Sequence, residues 1–264
     1  MRADCNAGMC FFALLLVLYI YTAYCPNPAP VNGFKLVAPG MLDTNRNVRR
    51  RFWCLKLVRL QMQASAEHAA LLDVVRWIDD HTAGLTLPAD ERSQLAIGCF
   101  DVALEHQAAI TLLHSAELYG STLSLLRVLS EALVRGLWLH ACANEAELEK
   151  FKKGRLEKSF ATLIREYEDH IGTPSGVLTG FKLSAWTQMN DFTHTGFLQV
   201  SRRHKPGRVE AAYPDQDLTN ALGAAGALGL IAAGQLIAIA GRDDLVPKLM
   251  EKLSTYAKSK PTAA

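Results

Sequence analysis

The sequence lacks the short motifs that mark common catalytic, phosphate-binding and metal-binding sites. It has no glycine-rich phosphate loop, no G-x-S-x-G nucleophile turn, no H-E-x-x-H and no C-x-x-C pair. Long segments of strand period are also missing, and there is no internal repeat. These absences argue against the common hydrolase, nucleotide-binding and zinc-binding classes, and we expect neither a cofactor nor a metal.

Cysteines are few and scattered along the chain. Of the six, only Cys99 and Cys142 lie beyond residue 61, each inside an apolar helical pattern. Cysteines in such patterns are typically reduced and buried. The spacing therefore favours free thiols over a disulfide framework or a metal site.

The net charge of +2 hides an asymmetry between the two parts of the chain. Residues 1–61 hold eight of the 28 basic side chains but only two of the 26 acidic ones, a balance of +6. Residues 62–264 therefore hold 20 basic and 24 acidic side chains, a balance of −4. A mildly acidic body argues against broad nucleic-acid binding, which relies on a basic surface.

Residues 1–61 form a leader that differs in composition from the rest. It has an apolar segment at 8–24 and a basic segment at 46–59, with no charge between Asp4 and Lys35. The apolar segment fits a cleaved signal peptide, or a short membrane anchor whose basic flank stays in the cytoplasm. The expected location is the cytoplasm, with a tether to the inner membrane if this segment is an anchor.

A third interpretation is that the leader does not belong to the mature protein. Met41 and Met62 are alternative starts to Met1, and globular composition begins only near Met62. The predicted organisation is a leader at 1–61, a helical bundle domain at 62–258 and a tail at 259–264.

Helical periodicity runs through the body and predicts an all-α fold, a single bundle of about six to seven helices. Asn144 and Glu147 have the spacing of a capping box, Gly154 is a candidate break, and Asp215 is a candidate cap. The stretch 218–241 carries no charge and is rich in alanine and glycine, which favours a tightly packed core helix over a membrane span. The predicted helices cover residues 65–81, 88–118, 121–142, 144–170, 178–192, 218–240 and 245–256.

The central helix, 121–142, is apolar on almost every side except for one polar stripe. Arg127, Glu131 and Arg135 lie one turn apart, and Trp138 lies among the leucines and valines around them. One glutamate can serve two arginines but leaves one positive charge over, so a further carboxylate is expected. The expected partner is Asp191.

Asp191 begins the segment D-F-T-H-T-G, which places His194 one helical turn further on. Gly196 would let the chain turn out of the fifth helix. Two interpretations fit this polar network. It is an ion-pair network that fixes how the third and fifth helices pack, or it lines a pocket for an anion or phosphodiester, with His194 as general acid or base.

Two phrases, LLRVLSEALVRGLWL at 125–139 and WTQMNDFTHTGFLQV at 186–200, resemble an uncharacterised bacterial family of all-helical proteins. These proteins are known only as domains of unknown function. The resemblance covers roughly residues 65–250, and it implies a helical fold without implying an activity.

A looser similarity is to HEPN-type helical bundles, several of which are metal-independent ribonucleases of toxin and phage-defence systems. Arg135 and His140 match the R-x4-6-H spacing of that family. The chain departs from the family by having Gly136 where a polar residue usually follows the arginine. The resemblance implies RNA or a nucleotide as ligand and Arg135, His140 or His194 as catalytic residues.

Two functional hypotheses follow from these patterns. The first is a non-catalytic interaction or ligand-binding module, for which a homodimer is the expected assembly. The alternative is a HEPN-like metal-independent ribonuclease or nucleotide-binding protein of a bacterial defence or toxin system.

Overall fold

The computed structural model describes residues 65–258. The apolar segment 8–24, the basic segment 46–59 and the alternative starts all lie outside the described residues, as does the tail 259–264.

The predicted all-α fold is confirmed. Nine α-helices and one short hairpin make up the described part of the chain, where the periodicity predicts six to seven helices. Two of these elements are not in the sequence prediction, the short helix α7 and the hairpin that follows it. The elements are α1 Ala66–Thr82, α2 Glu91–Ser115, α3 Tyr119–Ala141, α4 Glu145–Lys152, α5 Phe160–His170, α6 Val177–Thr193, α7 Phe197–Ser201, β1 His204–Lys205, β2 Arg208–Val209, α8 Asp215–Ile239 and α9 Val246–Lys258, with a 3₁₀ turn at Asp243–Leu245 before α9.

Side-chain caps fix where several helices begin. Ser65 accepts a hydrogen bond from the His68 amide at the start of α1, at 3.2 Å, and Asp90 accepts one from the Ser93 amide at the start of α2, at 2.9 Å. The predicted capping box at α4 is confirmed, because Asn144 and Glu147 exchange both of its hydrogen bonds. Such caps satisfy amide groups that the helix itself leaves without acceptors.

Two predictions about helix boundaries can be compared with the structure. The candidate break at Gly154 is confirmed, since the stretch 144–170 forms two helices and Gly154, with a φ of +65°, follows the end of α4. The prediction that Asp215 caps the sixth helix is wrong by one position, since Pro214 occupies the cap and Asp215 is the first helical residue. Proline at the cap offers no side-chain acceptor, whereas the acidic residues of the first turn, Asp215 and Asp217, interact favourably with the helix dipole.

Helices α3 and α8 form the two axes of the bundle. Helix α3 packs against α2, α5, α6 and α8, whereas α8 packs against α1, α2, α3 and α9. Two glycines of α8 admit polar side chains from its neighbours, Gln107 over Gly229 and Tyr256 over Gly226. The amide of Gln107 donates to the Ala225 carbonyl at 3.1 Å, so this buried side chain is satisfied.

Two described helices, α2 and α8, are long and apolar enough to cross a membrane by length and composition alone. In the bundle, 72% of the most apolar window of α8 is buried against other helices. This burial is what the packed-core interpretation of 218–240 requires.

A glycine sets the distance between α2 and α3. A Cβ at Gly136 would lie 2.6 Å from Cε1 of Phe100, which is closer than real Cβ contacts. We expect Gly136→Ala to lower the free energy of unfolding by about 1–3 kcal/mol, because the added methyl overpacks a rigid ring. Urea unfolding measures the effect, with Gly98→Ala as control, since a Cβ at Gly98 meets nothing within 4 Å. Equal stability of the two variants would contradict this description of the contact.

Candidate functional site on the polar face of helix α3

Hydrogen bonds hold the end of α6 against α3. Ser124 Oγ donates to the Phe192 carbonyl at 2.6 Å, and Thr193 Oγ1 donates to the Ser124 carbonyl at 3.3 Å. These bonds place the D-F-T-H segment beside the polar stripe of α3. The association predicted between helices 121–142 and 178–192, which are α3 and α6 in the structure, is therefore present. It depends on hydroxyl groups that the sequence analysis did not single out.

Arg127 is the centre of the cluster that forms there. Its Nε donates to Glu131 Oε1 at 2.9 Å, its Nη1 contacts His194 Nε2, and its guanidinium lies 4.9 Å from the centroid of the Trp186 ring. A guanidinium only donates, so His194 Nε2 is the acceptor in this contact. The side chains of Arg127 and Glu131 are 19% and 27% exposed, and His194 is exposed, so this cluster lies at the surface.

Arg135 stands apart from this cluster. The prediction that Glu131 serves both arginines is wrong, because its described ion pair is with Arg127 alone. Arg135 is half-buried and faces the neighbouring helix α2. There, burial raises the pKa of the Cys99 thiol to about 11, and the charge of Arg135 opposes that rise. Cys99 is therefore a protonated thiol near neutral pH.

Asp191 does not provide the extra carboxylate that the sequence predicts. Its Oδ2 accepts a hydrogen bond from the Leu198 amide at 2.8 Å, at the start of α7. The Gly196 amide also donates to the Asp191 carbonyl at 2.7 Å, which closes the turn that the glycine was expected to make. The prediction fails because a five-residue helix follows α6 and takes this carboxylate as its cap.

His140 lies at the other end of α3 from His194. Burial lowers the pKa of its imidazole, and the positive charge of Arg92 lowers it further, against the opposite effect of Asp90. Arg92 donates to the Leu139 carbonyl at 3.1 Å and pairs with Glu145 at 2.8 Å. His140 is thus held neutral beside the start of α2, and no described contact joins it to Arg135.

Trp138 belongs to a second network and not to the Arg127 cluster. Its indole ring is fully buried, and Nε1 donates to Glu166 Oε2 at 2.6 Å. Lys158 lies 4.7 Å from the centroid of that ring and bridges Glu166 and Glu147 at 2.6 and 2.7 Å. The sequence analysis missed Lys158, which precedes α5, and Glu166 on α5, because charged residues in this part of the chain resemble an ordinary solvated face.

The first turn of α3 meets three further polar side chains that the sequence analysis missed. Gln199, Arg203 and Tyr213 all come from the segment between α6 and α8 and lie close to Gly120. Only Arg203 lies in the basic run 201–208, which is typical of a polar loop when no structure is known, and no local signal marks Gln199 or Tyr213.

A row of aromatic rings leads from this turn into α1. The ring of His114 lies 5.2 Å from that of His68 and 5.3 Å from that of Tyr119. Its Nδ1 is buried and makes no hydrogen bond within residues 65–258. The pKa of His114 is lowered from 6.5 to about 4, chiefly by burial and then by the neighbouring His68, while Glu67 opposes the shift.

This depressed pKa makes the stability depend on pH. The unfolded chain takes up the proton near pH 6.5 and the folded chain only near pH 4, so stability is lost as pH falls through that window. Because the ring is only partly buried, we expect a loss of about 1–2 kcal/mol. Urea unfolding at pH 7.5, 5.5 and 4.5 should show this loss in the wild type and less of it in His114→Phe. If His114→Phe lost as much as the wild type, the effect would come from other groups.

The described residues contain no group of three or more His, Cys, Asp or Glu side chains that could hold a metal ion. No curated protein and no solved structure matches the chain. A family model, described as a family of unknown function (DUF6988), matches residues 100–262. This match spans the polar stripe of α3, the D-F-T-H-T-G segment and the basic run. The chain is therefore a member of the DUF6988 family.

Proposed function

We propose that the protein is a non-catalytic module that binds a ligand or a second copy of itself through the polar face of α3. This face runs from Gly120 through Ser124 and Arg127 to Glu131, residues that lie on one side of the helix at intervals of three to four. The proposal depends on one observation, the contacts of Arg127 with Glu131, His194 and Trp186, which fix its position and leave some of its N–H donors for a partner.

The contact between Arg127 and His194 favours recognition over catalysis. A general base needs a free lone pair, and the Nε2 lone pair of His194 is occupied by a guanidinium that never gives up its proton. A partly exposed charge whose position is already fixed, as that of Arg127 is, serves recognition well, because little conformational entropy is lost when a partner binds. The arrangement therefore favours binding over proton transfer.

Two measurements on the full-length protein test this proposal. Sedimentation velocity detects a dimer, and thermal unfolding with inorganic phosphate, a nucleoside monophosphate and a short RNA detects a ligand, because binding to the folded state raises the Tm. We expect a dimer or a ligand response that is weakened by Gly120→Ala or Arg127→Ala. Arg155→Ala is the matched control, because Arg155 is exposed and far along the chain from this face.

Two outcomes would overturn the proposal. One is a monomer whose Tm none of these compounds raises. The other is a dimer or ligand response that neither of the two face variants changes.

A specific observation favours a second candidate, the HEPN-like metal-independent ribonuclease. Arg135 makes no ion pair within the described residues, and the pKa of His140 is lowered by burial and by Arg92. Such a reaction needs a free guanidinium that can bind the phosphodiester. It also needs a neutral imidazole that can accept the proton of the attacking hydroxyl. The two residues are five apart on α3, which matches the R-x4-H spacing.

Variants of these two residues test the second candidate. In metal-free buffer, Arg135→Ala and His140→Ala should each reduce cleavage of a labelled single-stranded RNA by about 10²-fold or more if the enzyme hypothesis holds. Exposed Arg155 and His170 provide the matched alanine controls, which should cleave like the wild type. Activity that both Arg135→Ala and His140→Ala retain would exclude this pair as the catalytic residues.

A further inference from the structure

Hydrogen-bond donors from three residues converge on the first turn of α3. A Cβ at Gly120 would lie 2.6 Å from Nη2 of Arg203, 2.7 Å from the Tyr213 hydroxyl and 3.4 Å from Nε2 of Gln199. Because position 120 has no side chain, the Arg203 guanidinium, the Tyr213 hydroxyl and the Gln199 amide can pack directly against the backbone of α3. Each of the three residues is half-buried and so keeps a part of its surface in contact with solvent.

Gln199 Nε2 donates to Ser124 Oγ at 3.5 Å, but the described part of the chain shows no acceptor for the Arg203 guanidinium or for the Tyr213 hydroxyl. The hydroxyl of Tyr213 is shut off from solvent and makes no hydrogen bond there. No described carboxylate pairs with Arg203, whose guanidinium lies only against the Tyr213 ring, 5.6 Å from its centroid. Arg202 gives one nitrogen to Asp217 at 2.9 Å, but its Nε is buried without a partner among residues 65–258.

The helix end adds further donors to the same place. Leu118 occupies the cap of α3 and makes no side-chain capping bond. The first amides of a helix have no acceptor inside the helix, and the dipole of a 23-residue helix places partial positive charge there. Buried donors without acceptors are unfavourable, and an anion satisfies several of them at once.

The local charge is positive on the side of Tyr213. Burial raises the pKa of its hydroxyl, whereas Arg203 and Arg202 lower it, and no acidic residue contributes. Burial, Glu117 and Asp215 raise the pKa of Tyr119, whose ring lies 5.9 Å from that of Tyr213. Within this junction the positive charge that favours an anion is therefore that of Arg203 and Arg202 beside the Tyr213 hydroxyl.

We propose that this junction binds a small oxyanion of the phosphate type, either free or as the terminal phosphate of a small metabolite. Arg203 holds two of its oxygens, the Tyr213 hydroxyl and Gln199 donate to it, and the first-turn amides of α3 complete the site. The inference names the ligand class of the binding module proposed above and therefore depends on that proposal. A glycine at position 120 lets these donors approach the helix, since a Cβ there would lie 2.6 Å from Arg203 Nη2 and 2.7 Å from the Tyr213 hydroxyl.

Calorimetric titration of the full-length protein with inorganic phosphate, at constant ionic strength, tests the site. We expect the wild type to bind and Arg203→Ala to bind at least about tenfold more weakly, because it loses a bidentate charge-assisted contact. Tyr213→Phe should bind several-fold more weakly yet be at least as stable without phosphate, since it removes an unsatisfied buried hydroxyl. Arg155→Ala should bind as the wild type does. Titration with phenyl phosphate distinguishes free phosphate from a phosphate monoester.

Retention of full phosphate affinity by Arg203→Ala would overturn this inference, as would a wild type that does not bind phosphate. If the protein does not bind phosphate but binds RNA, a nucleotide or a second copy at the polar face of α3, the oxyanion site is wrong and the proposed binding module is supported. If nothing binds and the protein is a monomer, both proposals fall.

Discussion

Replacing Phe100 by alanine is expected to lower the free energy of unfolding by about 3–5 kcal/mol, enough to remove much of the stability of a typical domain. The Phe100 side chain is fully buried in α2 and packs on the bare backbone of Gly136 in α3. Because position 136 has no side chain that could move into the space, alanine leaves a cavity between two of the most extensively packed helices. The surrounding helices can relax only in part.

Urea unfolding followed by circular dichroism measures this loss. Val102→Ala is the matched control, because Val102 lies on the same helix and is 43% exposed. We expect the control to differ from the wild type by about 0.5 kcal/mol or less. If the free energy of unfolding of Phe100→Ala lay within about 1 kcal/mol of the wild-type value, the α2–α3 contact would not stabilise the fold as proposed.

The second large effect is expected at Glu168, a carboxylate buried in α5. It accepts hydrogen bonds from the amides of Gly176 and Thr179, both at 3.1 Å, and from the Thr179 hydroxyl at 2.6 Å. Gly176 has no side chain with which to cap α6, so Glu168 supplies the acceptors that the first turn needs. Glu168→Ala leaves three donors unsatisfied and should destabilise the protein by about 2–4 kcal/mol.

A graded series checks that the hydrogen bonds are responsible. Glu168→Gln keeps one oxygen acceptor and should lose less than the alanine variant, and Asp169→Ala should be nearly neutral because Asp169 is exposed. Amide hydrogen exchange should speed up in the first turn of α6 in Glu168→Ala. Unchanged exchange there, or equal losses at 168 and 169, would show that Glu168 is not the cap of this helix.

Helix positions could be predicted from the sequence because they depend on local information. The periodicity of apolar residues predicts the long helices, and the Asn144–Glu147 spacing predicts the exact cap residue of α4. Charge-free runs such as 218–241 are ambiguous in isolation, but they become core helices once their small residues admit neighbours such as Gln107.

The candidate site could be predicted only in part, because partners depend on tertiary contacts. The Arg127–Glu131 pair lies within one helix and was predictable from its spacing. The partner of Asp191 depends on a short helix that has no strong periodic signal, so the sequence assigned it to the wrong neighbours. Arg203 and Tyr213 reach Gly120 from a segment more than 80 residues along the chain, and no local pattern could indicate that approach.

We propose that the polar face of α3 binds a partner and does not catalyse a reaction. An assay of RNA cleavage by the wild type without metal tests this proposal most directly. A labelled single-stranded RNA incubated with the full-length protein and a chelator is expected to remain as intact as in buffer alone, at pH 6 and at pH 8. Cleavage that appears with the wild type, is lost in Arg135→Ala or His140→Ala and survives in Arg155→Ala would contradict the claim and make the protein a ribonuclease.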